Sequence, residues 1–408
     1  MRDVYVLGGH QTDFARNWAT DGDGLFAMMR ESVKGALVAS GVPAGDIEVA
    51  HIGNFAGELF TGQGHLGGLF AAIDPAFSSV AASRHEAACA TGSMAVMAAT
   101  ADIESGRYDV ACVVGAEQMR NVPAHEAAQH LGAALWVGRE AGEAEFPWPH
   151  QFSQIADEYA DRYGLDHAHL MAIAEKNLDN ARRNPCAQTR SWVFEDDHFT
   201  EDDALNPVIE GRLRKQDCGR ITDGAATVIL AAAPYASQWA APRGIAVSSI
   251  PRIVGWGHRT APMLLSDKLA ASRDHEFVFP HLRGAITDAW RRAGVAGVEV
   301  IDAIETHDCF TITEYLAIDH FGITEPGESW EVIEEGATRR DGRIPVNPSG
   351  GLIGAGHPVG ATGVRMVVDA ARQVSGTAGD YQVDGARTVQ TLNIGGSVTT
   401  VASFVVTR

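Results

Sequence analysis

The amino-acid sequence predicts an α/β fold with two or three domains. Its 408 residues are too many for one ordinary core. Short runs rich in β-branched residues alternate with helical stretches, which is typical of an α/β protein. The runs at 110–115, 227–230 and 388–392 predict buried strands. A faint internal duplication is the third observation that favours this fold class.

Both ends of the chain are predicted to be strands. Residues 1–7 predict a first strand and not a signal peptide. Residues 404–408 predict a last strand and carry no peroxisomal tripeptide. No apolar run approaches the ~20 residues of a membrane span. With 45% hydrophobic and 21% charged residues, the composition is that of a globular protein. We therefore expect a cytoplasmic enzyme.

The duplication consists of a helix, a glycine and a strand that occur twice in the same order. The two copies occupy 30–40, 41 and 46–52, and 283–293, 294 and 298–304. An Ala-Thr-Gly sequence at 90–92 and again at 361–363 opens an apolar helix after each copy. The two helix-glycine-strand copies and the two Ala-Thr-Gly sequences are separated by a similar number of residues. The second half is therefore expected to repeat the first.

The segment 121–219 has no counterpart in the second half and is predicted to be an insertion. It is polar, and helices are predicted within it at 152–163 and 167–180. Insertions of this size usually carry binding functions. The predicted units are a first half (1–120 plus 220–250), an inserted domain (121–219) and a second half (251–408).

Charge and cysteine usage restrict the possible ligands. The formal net charge of −20 argues against a nucleic-acid partner and disfavours anionic ligands in general. An anionic cofactor would need a local basic patch, and Arg212, Arg214 and Lys215, followed by Arg220, supply one. The same run is compatible with a solvated turn. The five cysteines include no Cys-x-x-Cys pair, so neither a disulfide framework nor a metal site is indicated.

Cys89 is the first candidate catalytic residue. It lies in Ala-Cys-Ala-Thr-Gly-Ser at 88–93, before a run with no polar stripe up to Asp102, which predicts a helix enclosed on all sides. The N-terminus of such a helix favours a thiolate. The alternative is a small buried hydrophobe, the usual role of a free cysteine.

A glycine-rich segment at 347–363 carries His357. Its glycines allow the backbone to approach a ligand closely. Gly-Ala-Gly at 354–356 superficially suggests a dinucleotide-binding motif, but the spacing to Gly360 is one residue too long. The density of glycine favours a functional imidazole at His357 over a core histidine.

Two further polar segments end predicted strands. His307-Asp308-Cys309-Phe310 follows the strand predicted at 298–305, at the end where α/β folds place their sites. Cys309 is either a buried hydrophobe or a proton carrier. Asn-Ile-Gly-Gly-Ser at 393–397 can turn backbone N–H groups toward a developing oxyanion. Cys89, the glycine-rich segment that carries His357, and His307-Asp308-Cys309-Phe310 together supply a nucleophile, an imidazole and a second thiol. This set fits carbon–carbon bond chemistry on thioesters.

Together these segments resemble the thiolase superfamily over nearly the whole chain. Residues 347–363 resemble the family's histidine-bearing signature, 88–92 its nucleophile loop, and 115–119 the loop after the next strand. His-Asp-Cys-Phe at 307–310 stands where many thiolases have Asn-Glu-Ala-Phe and is similar to the branch related to sterol-carrier-protein thiolases. Most thiolases also carry Cys-x-Gly near the C-terminus, where this chain has Asn-Ile-Gly at 393–395. Cys309 is then the available replacement for the missing cysteine.

The resemblance implies a duplicated five-layer α-β-α-β-α fold with an inserted loop domain that binds coenzyme A. Arg212, Arg214, Lys215 and Arg220 could neutralise the CoA phosphates. Acyl-CoA and CoA would be the substrates, without a permanently bound cofactor, and the protein would be a homodimer or tetramer. The reaction would be acyl transfer that forms or cleaves a 3-ketoacyl-CoA.

The resemblance also implies a role for each candidate residue. Cys89 would form the acyl-enzyme, and His357 would take and return its proton. Cys309 would move the proton at the α-carbon of the second acyl group. His307, with a water, would stabilise the enolate oxygen. The backbone N–H groups of Cys89 and Gly395 would hold the oxyanion of the tetrahedral intermediate.

Three other functions on the same fold stay open. A decarboxylating ketoacyl synthase would pair its cysteine with two imidazoles, or with an imidazole and an amide, and requires no second thiol. A retro-aldolase acting on steroid side-chain CoA esters can dispense with the nucleophilic cysteine, so Cys89 counts against it. A non-catalytic lipid or acyl-CoA carrier would bind its ligand without turnover.

Overall fold

The computed structural model describes residues 2–20, 22, 24–142 and 144–408. Its strands are β1 (Val4–Gln11), β2 (Val49–Gly53), β3 (Ala81–His85), β4 (Val110–Glu117), β5 (Val208–Glu210), β6 (Leu213–Arg214), β7 (Gly224–Ala232), β8 (Arg252–Thr260), β9 (Ala303–Thr306), β10 (Thr388–Gly395) and β11 (Thr400–Thr407). Its α-helices are α1 (Leu25–Ser40), α2 (Gly57–Thr61), α3 (Leu66–Ala71), α4 (Thr91–Ser105), α5 (Ala124–Leu131), α6 (Pro147–Tyr163), α7 (His167–Ala181), α8 (Ala233–Ala240), α9 (Leu265–Ala271), α10 (Pro280–Ala293), α11 (Thr311–His320), α12 (Ser329–Glu334), α13 (Gly351–Ala355) and α14 (Thr362–Ser375).

The strands predicted from the sequence are present. The predicted strands at 110–115, 227–230 and 388–392 are β4, β7 and β10, and nearly all of their residues are buried. The predicted first and last strands are β1 and β11. Met1 lies outside the described residues.

One mixed sheet carries the duplication. Among the described residues, nine strands lie in the order β3-β2-β4-β7-β1-β8-β11-β10-β9. In the first half, β4 pairs parallel with β2 and antiparallel with β7, which pairs antiparallel with β1. In the second half, β10 pairs parallel with β9 and antiparallel with β11, which pairs antiparallel with β8. The halves join where β1 meets β8. The predicted duplication is therefore confirmed.

The start of one strand was predicted wrongly in both copies, and for the same reason. Residues 298–300 form a 3-10 turn, so β9 begins only at Ala303, and residues 44–46 form a 3-10 turn before β2. The amide of Ile47 donates to the carbonyl of Ala44, and the amide of Ile301 donates to that of Val298. Because each turn forms its own internal hydrogen bond, the strand that follows it begins a few residues later than predicted.

Helices cover the sheet in the predicted five layers. Helix α1 packs on β1, β4 and β7 on one outer face, and α10 packs on β8 and β11 on the other. Helices α4 and α14 pack against each other in the central layer, where α14 contacts strands of both halves. The strands of the first half form one β layer and those of the second half form the other, joined at β1 and β8. The arrangement is α-β-α-β-α, as the sequence resemblance implied.

The central helices approach each other closely at their N-termini. A Cβ atom on Gly92 would lie 2.7 Å from the Gly360 carbonyl oxygen, and one on Gly363 would lie 2.2 Å from the Ser93 amide nitrogen. Only glycine fits both positions, because real Cβ atoms do not approach backbone so closely. The segments that carry Cys89 and His357 are thereby brought together.

Helix α4 is less enclosed than predicted. Its N-terminal turn is buried, but Met94, Met97 and Ala98 are half-buried and Ala101 is exposed. The prediction of burial on all sides was wrong on this face, because the absence of a polar stripe does not require burial.

The segment 121–219 contains the two predicted helices. Helix α6 begins at Pro147, earlier than the predicted start at 152, because proline is compatible with a first helical turn. Phe152 and Tyr159 of α6 belong to one hydrophobic cluster with residues of α10 and α11. The insertion is thus packed on the second half, and the domain boundaries stay a prediction. In the described parts of the chain, no helix is long and apolar enough to cross a membrane.

Candidate active site

Cys89 lies in a tight turn directly before helix α4. The turn is a 3-10 helix at Ala88–Ala90, and Ala88 has a φ of 49°, which is uncommon for a residue with a side chain. The Ala88 amide donates to the Glu86 carboxylate at 2.6 Å, and the Ala87 amide donates to the Thr91 hydroxyl at 2.8 Å. These bonds hold a strained backbone in place and fix the position of the thiol.

The structure brings Cys89 together with both predicted histidines. The Cys89 sulfur and one ring nitrogen each of His307 and His357 lie within 4.8 Å of one another. The two imidazole rings are nearly perpendicular, with centroids 5.2 Å apart. Cys309 lines the same cavity as Cys89 and His357. The four predicted catalytic side chains therefore converge on one place.

Both members of the Cys89–His357 pair favour their neutral forms. Burial, opposed in part by the Gly396 amide and assisted by the nearby Glu117 carboxylate, raises the pKa of the Cys89 thiol to about 12. Burial, and then His307, hold the pKa of His357 well below its usual range. Desolvation therefore opposes the thiolate that the N-terminus of α4 is expected to favour. The pair is a thiol beside a neutral base.

His357 is oriented for proton transfer by Thr362. The Thr362 hydroxyl lies 2.7 Å from Nδ1 of His357 and 3.1 Å from the Pro358 carbonyl oxygen. A hydroxyl that donates to this carbonyl can accept the Nδ1 proton, which assigns the lone pair to Nε2. Nε2 of His357 is buried and has no partner among the described residues. It is thus free to accept a proton from Cys89.

Asn393 stands where the sequence resemblance predicts the second cysteine of most thiolases. It is fully buried, its carboxamide oxygen lies 3.0 Å from Nδ1 of His307, and its amide donates to the Ser93 hydroxyl at 3.0 Å. Burial lowers the pKa of His307 to about 3. Asn393 therefore connects the first turn of α4 to a neutral His307.

Cys309 also favours its protonated form. It is buried, and its pKa lies well above the usual range because of burial and then the nearby Cys89 and Asp308. The Asp308 carboxylate accepts the Asn177 amide at 2.8 Å and the Leu352 amide. Asp308 therefore connects the loop of Cys309 to the glycine-rich segment of His357.

Glu117 is a buried carboxyl that the sequence did not single out. It accepts the amides of Phe55 at 2.9 Å, Ala56 at 3.1 Å and Gly360 at 3.0 Å. Burial raises its pKa to about 7. Glu117 joins the end of β4 to the loop after β2 and to the segment that follows His357.

The glycines after Asn393 lie against the Cys89 turn. A Cβ atom on Gly395 would lie 2.2 Å from the Ala87 carbonyl oxygen, so only glycine fits there. The neighbouring Gly396 amide faces the Cys89 thiol and lowers its pKa, against the effect of burial. Gly396 is therefore a second backbone donor near the reacting atom, beside the predicted Gly395. The sequence showed both glycines but not which amide faces the thiol.

The four predicted basic CoA contacts line two different pockets in the structure. Arg212 is paired with Asp157, Arg214 is paired with Asp203 at 2.7 Å, and both line a separate pocket. Lys215 is exposed, lines the Cys89 cavity and forms no ion pair or side-chain hydrogen bond with the described residues.

Arg220 lines the Cys89 cavity as well, but its guanidinium is engaged locally. It donates to the carbonyls of Lys215 and Cys218 and to the Gln216 side chain. Arg220 therefore supports the loop, and only Lys215 of the four predicted CoA contacts presents a free charge at the cavity.

The comparisons with known proteins agree with this architecture. The chain matches the family model for the thiolase N-terminal domain over residues 4–234 and the C-terminal domain-like model over residues 265–408. An acetyl-CoA acetyltransferase of Methanothermobacter thermautotrophicus is 33% identical over 412 residues, which is 100% of both chains. Sterol carrier protein 2 of Homo sapiens is 25% identical over 98% of this chain and 71% of its own length.

A solved structure shows the same fold. The Ltp2-ChsH2(DUF35) aldolase superposes with a TM-score of 0.78 at 19% identity, covering 99% of this chain and 97% of its own. One family model matches more than half of the chain, and a full-length relative exceeds 30% identity. The chain therefore belongs to the thiolase family of acyltransferases.

Proposed function

We propose that the protein transfers acyl groups through a Cys89 acyl-enzyme and so cleaves or forms 3-ketoacyl-CoA. The observation that carries this proposal is the meeting of Cys89, His307 and His357 within 4.8 Å beside the Cys309 cavity. The archaeal relative named acetyl-CoA acetyltransferase supports acetyl-CoA as one of the reacting thioesters.

The neutral thiol and imidazole fit the first step of cleavage. His357 Nε2 accepts the Cys89 proton as the sulfur attacks the 3-keto carbon, so that no free thiolate has to exist beforehand. The carbon–carbon bond then breaks, and its electron pair passes to the leaving acyl-CoA as an enolate. Backbone donors such as the Gly396 amide would hold the oxyanion.

The protonated Cys309 fits the second step. Its thiol donates the proton that converts the enolate into free acyl-CoA. The resulting Cys309 thiolate takes the proton of the incoming CoA thiol, whose sulfur attacks the acyl-enzyme. The departing Cys89 sulfur recovers its proton from His357, so that both cysteines and the histidine return to their starting forms. The reverse sequence would form the carbon–carbon bond.

We also propose that Lys215 is the charged contact for CoA. Lys215 is the one member of the predicted patch whose charge is unpaired at the cavity, whereas Arg212 and Arg214 already have carboxylate partners. A homodimer or tetramer, a cytoplasmic location and the absence of a permanently bound cofactor stay predictions of the family resemblance.

The test is CoA-dependent cleavage of a series of 3-ketoacyl-CoA esters, combined with mass spectrometry of the enzyme. We expect a shortened acyl-CoA, a second acyl-CoA product and a transient acyl adduct on the peptide that contains Cys89. Cleavage without any adduct would contradict the acyl-enzyme. A folded enzyme that cleaves no ester in the series would contradict the proposed function.

A decarboxylating ketoacyl synthase is the second candidate. It is favoured by the two imidazoles near Cys89, because His307 and His357 form the set that such enzymes pair with their cysteine. A malonyl thioester as the only nucleophile separates the two functions. Condensation that releases carbon dioxide and does not need Cys309 would favour the synthase, whereas thiolase activity requires a proton carrier at the α-carbon.

A further inference from the structure

We infer that the Cys89 cavity is built for an uncharged acyl group that carries an aromatic ring. This inference specifies the acyl group of the proposed reaction. It rests on the proposed function where it concerns cleavage, but not where it concerns binding. The cavity has a volume of about 250 Å³. Four phenylalanine or tryptophan rings line its wall, and three of them form what we call the aromatic row: Phe310, Phe152 and Trp148.

The aromatic row begins next to a proposed catalytic residue. Phe310 directly follows Cys309 in the chain. Phe152 stacks on Phe310 with ring centroids 4.5 Å apart and planes at 27°, and Trp148 lies 6.2 Å from Phe152. The row therefore extends from Cys309, the proposed carrier of the α-carbon proton, to helix α6.

The row is held in position by its surroundings. Phe152 is 2% exposed and Phe310 is 7% exposed. The indole N–H of Trp148 donates to the Leu131 carbonyl at 2.9 Å. Each ring is thus fixed by packing or by a hydrogen bond, which favours recognition of a defined shape over general adaptability.

The chemistry of the row identifies which part of an acyl-CoA it faces. The pantetheine arm carries two amides, and an amide buried without a partner is costly. The row offers no free polar atom, because the Trp148 N–H is already used. A carboxylate placed against the row would be disfavoured more strongly for the same reason, and the charge of Lys215 on the cavity wall is assigned to CoA by the proposed function. The row therefore suits the apolar acyl group and not pantetheine or a dicarboxylic acyl group.

Size favours a ring over a short acyl group. A cavity of about 150 Å³ with apolar walls is large enough to hold benzene. The space here is larger and is shared with part of CoA, since Lys215 lines it. An acetyl or acetoacetyl group held at Cys89 would leave the apolar surface of the aromatic row without contacts. A ring placed against Phe152 and Phe310 gains area burial together with the offset or edge-to-face contacts that aromatic pairs prefer.

The first experiment measures binding without turnover. Calorimetry on Cys89→Ala would compare 3-phenylpropanoyl-CoA with butanoyl-CoA, and succinyl-CoA would test the exclusion of charge. We expect the aryl ester to bind on the order of 10- to 100-fold more tightly than the butanoyl ester, from the apolar area of one ring. Equal affinities, or tightest binding of succinyl-CoA, would overturn the inference whatever the enzyme's activity.

The second experiment measures specificity in the wild-type enzyme. CoA-dependent cleavage of 3-oxo-3-phenylpropanoyl-CoA should exceed that of acetoacetyl-CoA in kcat/KM, and a preference for acetoacetyl-CoA would overturn the inference. Selective binding of the aryl ester with no cleavage of either would instead reject the proposed function and leave the ligand class standing.

A pair of matched variants locates the selectivity. Phe152→Leu should lower the aryl-to-acetoacetyl ratio by about tenfold, because the stacked ring is lost. Phe26→Leu changes a half-buried phenylalanine on helix α1, outside the cavity, and should leave the ratio unchanged. If both variants keep the wild-type ratio, the aromatic row does not select the substrate.

Discussion

The two copies of the repeated unit place different groups at the same point of the fold. In the first copy, Cys89 lies two residues before the start of α4, on a short turn with one strained alanine. In the second copy, His357 lies five residues before the start of α14, on a segment with three glycines at positive φ. The helices and strands are duplicated, but the loop before each central helix is not, and these two loops supply Cys89 and His357.

The comparison also explains how unlike groups come to meet. Gly92 and Gly363 occupy equivalent places in the two helices, and their close approach brings the two loops into contact. The first copy then contributes the thiol and the second contributes both imidazoles and the second thiol. Each catalytic step needs groups from both copies, which makes the division of roles testable one residue at a time.

The largest effect is expected where the first copy loses its nucleophile. Cys89→Ala should lower acyl transfer roughly 10⁴–10⁶-fold, the range for loss of a central catalytic group, and should abolish the acyl adduct. The fold should persist, because one small residue replaces another. Intact-protein mass spectrometry after incubation with acetyl-CoA is the measurement, and Cys186→Ala, at a half-buried thiol away from the cavity, is the control. An acetyl adduct that survives in Cys89→Ala would refute the assignment.

The next effect concerns the second copy's thiol. Cys309→Ala should still acylate Cys89, because His357 activates the thiol and CoA can leave as a thiolate without the Cys309 proton. It should lose exchange of the acetyl-CoA α-protons with solvent by about 10²–10⁴-fold, the usual contribution of a general base. Deuterium incorporation into acetyl-CoA, measured beside acylation, separates the two steps.

Cys218→Ala is the matched control for that measurement. It removes a third thiol from the same cavity wall, one that donates to the Arg214 carbonyl at 3.3 Å. Near-wild-type exchange in Cys309→Ala would reject Cys309 as the base. Loss of both acylation and exchange would show that Cys309 is structural.

A smaller effect is expected at Thr362, which orients the base of the second copy. Thr362→Val removes the acceptor for the Nδ1 proton of His357 and should lower kcat/KM by about tenfold, the value of about one net hydrogen bond. Thr362→Ser keeps the hydroxyl and should restore activity. An equal loss in both variants would point to packing.

The pH dependence of the wild type tests the same base. Because the pKa of His357 lies well below 6.5, its neutral form persists as the pH falls. The pKa of Cys89 is about 12, so the thiol stays protonated across the neutral range. We expect no loss of kcat/KM between pH 6 and 8 from protonation of His357. A Glu117→Gln variant, which lacks the nearby carboxyl whose pKa burial raises to about 7, should therefore keep a constant value over this range. A rate that falls with a midpoint near the ordinary histidine pKa would contradict this description of the base.

The fold could be predicted from patterns that depend on local physics. The β-branched runs at β4, β7 and β10 and the glycines that end α1 and α10 all have the predicted form. The errors arose where a single hydrogen bond changes the path of the chain, as at Ile47 and Ile301 before β2 and β9. Sequence periodicity does not detect a turn of three residues.

The site was predictable in composition but not in its electrostatics. Motifs identified Cys89, His307, Cys309 and His357, which the structure brings together. The raised thiol pKa depends on burial by distant segments, and the partners of Glu117 come from three separate parts of the chain. No local pattern shows which arginine of the basic run already has a carboxylate partner.

The smallest effect is expected at Lys215, in the segment 121–219 that has no counterpart in the second half. Lys215→Glu should raise the KM for CoA substrates roughly fivefold with little change in kcat, as expected for an exposed charge that contributes uniform binding. Arg212→Glu reverses the same charge at a residue that is paired with Asp157 and lines a separate pocket, so its KM should change less. Steady-state kinetics at low and high salt is the measurement, since screening should reduce the Lys215 effect. Equal KM values for the two variants at low salt would show that Lys215 is a solvated side chain, and CoA recognition would then depend on uncharged contacts in the cavity.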